Sequence, residues 1–136
     1  MRITLDEGAF LPERAHSNDA GLDIKSPVTV IVPAHRSVVI NTGVHVEIGA
    51  GCVGFLKSKS GLNVKHDIQS EGVIDSGYTG SIVVKLYNLG DGDYLVERGD
   101  KISQLVILPI LIPVIEVVDS LDETERGNNG FGSSGK

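Results

Sequence analysis

The chain has 136 residues, a net charge of −6, three phenylalanines, three tyrosines and no tryptophan. That length suits a single domain with a modest core, and the acidic balance with so few aromatics excludes a general nucleic-acid binder, which needs a basic face or stacking platforms. The most apolar stretch, Ile102 to Val118, is interrupted by Ser103, Gln104, Pro109, Pro113 and Glu116, so no run reaches the roughly 18 residues of a membrane span, and the single cysteine, Cys52, excludes an intrachain disulfide or a cysteine metal cluster and suits a reducing, cytoplasmic setting.

Along the chain, the acidic start is short of apolar residues and does not read as a signal peptide. Asp19-Ala-Gly-Leu-Asp23 could be a bare turn or part of a binding site. Val28 to Val32, bracketed by Pro27 and Pro33, predicts a short strand, and Val44 to Ile48 alternates with its apolar residues on one face. Lys57-Ser-Lys-Ser-Gly61 sets two cations and two hydroxyls beside a glycine, either a phosphate contact or a solvated strand end, and one helical turn is expected over Leu62 to His66. In Gly72-Val-Ile-Asp75-Ser-Gly-Tyr78-Thr-Gly80 an aspartate ends an apolar run before a glycine-rich turn. Held on a hairpin it could serve as a general base toward water, although Asp-Ser-Gly is also an ordinary turn. Ile82, Val84 and Leu86 share one strand face; Arg98-Gly-Asp100 reads as a hairpin turn; Ile102 to Leu108 and Val114 to Val118 read as buried strands. Gln104 is polar within an apolar strand and needs a partner. Pro109-Ile-Leu-Ile-Pro113 is either a subunit contact or another buried strand. The four histidines lack metal-ligand spacing. Strands at this spacing, punctuated by glycine and proline, predict an all-β sandwich or barrel.

The segment from Arg126 to Lys136 cannot fill a core. It offers glycine amides and serine hydroxyls for phosphates, Arg126 as a bidentate fork and Phe131 as a stacking face. It reads as a tail ordering over a nucleotide, or else as a flexible terminus. Gly130 to Lys136 imitates the first seven positions of a P-loop, but no strand precedes it and no helix follows, so a P-loop NTPase is rejected.

Taken together, Asp19-Ala-Gly-Leu-Asp23, Lys59-Ser-Gly-Leu62, Gly72-Val-Ile-Asp75-x-x-Tyr78-x-Gly80, Gly99-Asp-Lys-Ile-Ser-Gln-Leu105 and Arg126-Gly-x-x-Gly-Phe-Gly-Ser-Ser-Gly135 resemble, in order, the five motifs of the trimeric dUTPase family. The resemblance implies a distorted jelly-roll or β-barrel over residues 1–118 and a C-terminal arm over 119–136 that closes on an active site shared within a homotrimer. It implies hydrolysis of dUTP to dUMP and pyrophosphate with Mg2+, which limits uracil in DNA and supplies dUMP for dTMP synthesis. Asp75 would activate the water that attacks the α-phosphorus. Tyr78 would pack on the deoxyribose and exclude a 2′-hydroxyl. Backbone groups at Gly72, Val73 and Ile74 would read uracil. Lys59, Ser60, Gly61 and Gln104 would meet the phosphates, with Asp23 supporting the metal side through water. Arg126 would take the γ-phosphate, Phe131 would stack on uracil, and Gly132, Ser133 and Ser134 would complete the clamp. Many members carry arginine where Lys59 stands, an acidic residue at Gly77 and glycine at Asn129; the segment between Ile68 and Gly72 is short.

Two other readings use the same residues. A dCTP deaminase, or a bifunctional deaminase–diphosphatase, on this fold depends on a glutamate near the base, for which Glu71 is placed. A nucleotide-gated regulatory trimer would signal to a protein partner through its closed arm.

Overall fold

Apolar–polar alternation builds the long strands. The computed structural model describes residues 1–130. In chain order these form β1 (Arg2–Leu5), β2 (Gly21–Lys25), β3 (Val30–Val32), β4 (Ser37–Glu47), β5 (Cys52–Lys57), α1 (Ser60–His66), β6 (Ile68–Asp75), β7 (Ser81–Asn88), β8 (Tyr94–Val96) and β9 (Lys101–Pro109). Seven strands make one curled antiparallel sheet in the order β1-β4-β7-β6-β5-β9-β2, and β3 pairs with β8 in a small second sheet. This is the all-β, jelly-roll-like architecture expected. The core is aliphatic: Val44, Val46 and Ile48 at one end of β4, Ile82, Val84 and Leu86 on β7, and Ile24, Leu56, Ile102 and Leu105 are all buried. The face-sharing expected of β7 therefore holds, with Val83, Lys85 and Tyr87 outside.

Three local features position the site. First, β6 belongs to two ladders. Ile68 to Ser70 pair with Asn88 to Leu86 of β7, whereas Glu71 to Asp75 pair with Lys57 to Val53 of β5. The ladder to β7 stops at Ser70, and the loop from Asp75 to Ser81 opens away from the sheet. Second, β5 runs directly into α1, whose first turn no side-chain oxygen caps. Third, Asp100 N–H donates to Glu97 O at 3.0 Å, with Gly99 at φ 96°. The Arg98–Asp100 tripeptide is therefore a β-turn, with glycine where an L side chain resists the conformation; it is not the hairpin expected, because β8 and β9, which it joins, lie in different sheets and do not pair.

Three other sequence expectations change. Asp23 is on β2, not in a bare turn. Arg2–Leu5 forms an edge strand that its short, charged composition conceals. Val114 to Val118, expected as a buried strand, is irregular and lies exposed on the chain, with Val114 at 95% and Val117 at 94% accessibility. Apolar β-branched composition calls for burial, but it does not say against which chain.

Candidate active site

Asp23, Lys59 and Gln104 gather at one end of β5 and Asp75 with Tyr78 at the other, while Gly72 to Ile74 run between them opposite Leu56 to Gly54. At one end, Asp23 is buried (3% exposed). Its Oδ1 accepts from Lys59 Nζ, and its Oδ2 faces Lys101 Nζ at 2.7 Å. Both carboxylate oxygens are thus paired with ammonium groups, which compensates their burial. Burial pushes the Asp23 carboxyl up, but Lys101 and Lys59 more than offset this and hold it below the usual carboxylate range; Asp23 in turn raises Lys101. Glu13 closes the flank. Its carbonyl accepts from Asp23 N–H at 2.8 Å and its carboxylate pairs with Lys25.

Gln104 lies across the ladders from both Asp23 and Lys57. Its required partner is the Ser58 carbonyl, to which Nε2 donates at 3.0 Å. A serine network fixes this corner: Ser70 N–H donates to Ser58 Oγ at 2.9 Å, and Ser70 Oγ to Ser103 Oγ at 2.9 Å. Ser60 and Gly61 stand exposed at the uncapped start of α1. Backbone N–H groups there are available to an anion, as Lys59, Ser60 and Gly61 together require.

At the other end, Asp75 pairs with Val53, whereas Gln104 pairs with Lys57. The four-residue offset along β5 separates the two groups by about 13 Å. The Asp75 carboxylate is exposed and accepts no intrachain hydrogen bond among the described residues. Tyr78 N–H donates to Asp75 O at 3.0 Å and closes the turn. Tyr78 itself is 44% exposed and its hydroxyl donates to Ser81 O at 2.9 Å. Because the ladder to β7 ends at Ser70, the edge of Gly72, Val73 and Ile74 facing away from β5 carries no β7 partner. The loop is held from behind by His45, whose Nδ1 donates to Thr79 O at 2.9 Å and whose Nε2 donates to Asp6 Oδ1 at 3.2 Å. Both acceptors lack protons, so the pair of bonds requires the imidazolium. The Thr79 carbonyl and then Asp6 raise the His45 pKa.

The remaining candidates join neither group. Arg126 is exposed and its Nε donates to Asn129 O at 3.1 Å. Phe131, Gly132, Ser133 and Ser134 lie outside the described residues. Glu71, the glutamate a deaminase would need, is exposed and ion-paired to Lys57 at 2.9 Å. Sequence reasoning missed Lys101 and His45. A cation heading an apolar strand three residues before Gln104 was a usable signal for the first. Nothing local pointed to the second.

The chain resembles known proteins along nearly its whole length. The dUTPase family profile matches residues 7–135. Over 134 residues the chain is 41% identical to the deoxyuridine 5′-triphosphate nucleotidohydrolase of Clostridium acetobutylicum, covering 96% of this chain and 92% of that one. It is 40% identical to the enzyme of Paramecium bursaria Chlorella virus 1 (96% and 94%). The rat enzyme, 40% identical, is longer, and the chain spans 66% of it. Among solved structures, a mutant dUTPase of Staphylococcus bacteriophage 80alpha with dUpNHpp superposes at a TM-score of 0.89 with 35% identity, covering 99% of this chain and 98% of that one. A mutant dUTPase of phage phi11, which coordinates a structural Mg(II) ion, superposes at 0.81 with 35% identity, covering 88% and 96%.

Proposed function

We propose, because this chain belongs to the dUTPase family, that it works as a homotrimer whose active sites are each assembled from different subunits. The activity follows from the family: the chain hydrolyses dUTP to dUMP and pyrophosphate. The observation that carries the shared site is the separation of the two groups along β5. One protomer holds the general base and the sugar-side tyrosine at one end of a strand and the cations at the other, so each group is half of a site. The exposed stretch after β9 supports the same reading. Leu111, Val114, Ile115, Val117 and Leu121 are each at least 86% exposed. Covering five such side chains against a neighbour would contribute roughly 8–15 kcal/mol before ordering costs.

In the assembled site, Asp75 takes the proton of a water directed in line at the α-phosphorus. The free strand edge of Gly72, Val73 and Ile74 offers backbone donors and acceptors to the uracil edge, where thymine's methyl finds no room. Tyr78 packs on the deoxyribose and closes the space of a 2′-hydroxyl. Lys59, Ser60, Gly61 and Gln104 of a second subunit hold the phosphate chain. Arg126, Phe131, Gly132, Ser133 and Ser134 of an arm, reaching from residue 119 onward, take the γ-phosphate, cover the base and exclude water.

Mg2+ fits this donor set as an ion carried by the nucleotide. Among the described residues no three His, Cys, Asp or Glu side chains gather to cage a metal, and the Asp23 carboxylate is paired with Lys59 and Lys101, so the triphosphate and water would hold the ion, with Asp23 acting through water. When bound, the ion neutralises and orients the triphosphate. No helix among the described residues is long and apolar enough to cross a membrane, and we place the enzyme in the cytoplasm on its single cysteine.

Pyrophosphate release from dUTP, dTTP, dCTP and UTP at equal concentration tests the specificity; release from dUTP alone is expected, and release from dTTP or UTP would overturn the assigned exclusions. Ammonia from dCTP would revive the deaminase. Mixed trimers test the shared site. Asp75→Asn and Lys59→Ala chains, each inactive alone, are expected to restore about a quarter of the sites when combined in equal amounts, because one chain supplies the hairpin and another the cations. No recovery would mean that each site belongs to one chain.

A further inference from the structure

We propose that Gly80 is a positioning residue for Tyr78, and that the absence of a side chain at position 80 sets the enzyme's discrimination between deoxyribose and ribose. This rests on the reading of Tyr78 as the sugar-side group and assigns the residue that holds it there.

The Tyr78 hydroxyl donates to the carbonyl of Ser81, three residues on, at 2.9 Å. To reach it, the ring folds back along its own chain and crosses Gly80. A β-carbon at position 80 would lie 2.5 Å from Tyr78 Oη, 2.6 Å from Cζ and 2.9 Å from Cε2. Carbon atoms in contact sit about 3.5–4.0 Å apart, so the ring occupies the volume of the missing side chain.

Either the backbone or the ring must yield to an alanine here, and the surroundings decide which. Thr79 O is held by His45. Ser81 is paired with His45 in the β4–β7 ladder, and its hydroxyl donates to Asn41. The backbone on both sides of Gly80 is therefore tied down. The ring is 44% exposed and held by one hydrogen bond, so the ring moves. Gly80 lies outside the left-handed region, so alanine brings no backbone strain of its own. Gly77, in the same loop, has open space where a β-carbon would go and serves as the contrasting position.

Two measurements on the full-length protein test the assignment. In nuclear Overhauser spectra, Tyr78 ring protons are expected to contact Gly80 Hα and Ser81 in the wild type and in Gly77→Ala. The contact to Ser81 is expected to vanish in Gly80→Ala while the thermal midpoint and the oligomeric mass stay unchanged. A persisting contact, or a Gly80→Ala chain that fails to fold, overturns the proposal. In kinetics, the ratio of kcat/KM for dUTP to that for UTP is expected to fall about tenfold in Gly80→Ala, and this loss is expected to disappear when Tyr78→Ala is already present. An equal loss in the Tyr78→Ala background would mean that Gly80 acts by another route. Should Tyr78→Ala alone leave the ratio intact, the sugar-side reading of Tyr78 fails, while the ring contacts still decide whether Gly80 positions it.

Discussion

The two ends of β5 are built on different principles. Around Asp23 the chain supplies its own partners: a buried carboxylate, two lysines from distant segments, and three serines that join β5, β6 and β9. Around Asp75 it supplies almost none. The carboxylate is exposed, the strand edge beside it loses its β7 partner after Ser70, and Tyr78 rests on a single hydrogen bond over a glycine. The first region is finished as folded, and its cations are positioned before any nucleotide arrives. The second is unfinished in its contacts, which, on the proposed reading, leaves its hydrogen-bonding groups for a base, a sugar and a water.

That contrast predicts different failures. The largest effect is expected at the open end. Asp75→Asn is expected to lower kcat by on the order of 1,000-fold, with dUpNHpp affinity, measured by calorimetry, nearly unchanged and the melting temperature intact. A variant that keeps its turnover would remove Asp75 as the base. Deletion of residues 126–136 is expected next in size. The loss of the closing segment is expected to cost about 100-fold in kcat/KM and, on the proposed assembly, to leave three chains per particle by light scattering; full activity without it would break the lid assignment.

At the finished end, damage appears first in stability. Asp23→Asn is expected to cost about 2 kcal/mol in urea unfolding, less than a fully buried pair because both lysines reach solvent. The folded Asp23 pKa is held below its ordinary value of 3.8. Its contribution is therefore present above that pH and lost as the pH falls through the lower folded value. The variant's stability deficit is expected to shrink on acidification below about pH 4, and a deficit that is flat with pH would refute the ion-pair account. The smallest effect concerns His45. Its folded pKa is raised above 6.5, so its contribution is complete below that value and fades as pH rises through the folded one. Melting temperatures of the wild type are expected to fall slightly across that window, and those of His45→Gln to show no such step.

Much of this was legible in the sequence, and what was not follows a pattern. Val44 to Ile48 and Ile82 to Leu86 declare their strands by alternation, and the turn at Leu62 to His66 lies within α1, because these signals are local. The end of an apolar run at Asp75 and the turn that carries Tyr78 were legible for the same reason. For Asp23 a bare turn stayed open as an alternative, because Asp and Gly favour turns, and the structure places it on β2. The lysines that make its burial tolerable lie far along the chain, and only the fold brings them near. Val114 to Val118 failed in the opposite way: its apolar composition suggested a buried strand, yet within its own chain it is irregular and exposed. His45 braces the loop through a backbone carbonyl and an aspartate on β1's far side, a contact that no spacing rule encodes.

The Asp23 cluster also acts as a built-in counter-ion. Free lysines on a surface hold mobile anions, which an incoming polyanion displaces into bulk solution at a strength that falls with added salt. Here half of the charge on Lys59 and Lys101 is already balanced by a carboxylate that cannot diffuse away. A triphosphate meeting these lysines trades partners with a fixed group and releases fewer mobile ions. Nucleotide affinity is thus expected to vary less steeply with ionic strength than the number of contacting cations suggests, and Asp23→Asn, which frees both lysines, to steepen that dependence.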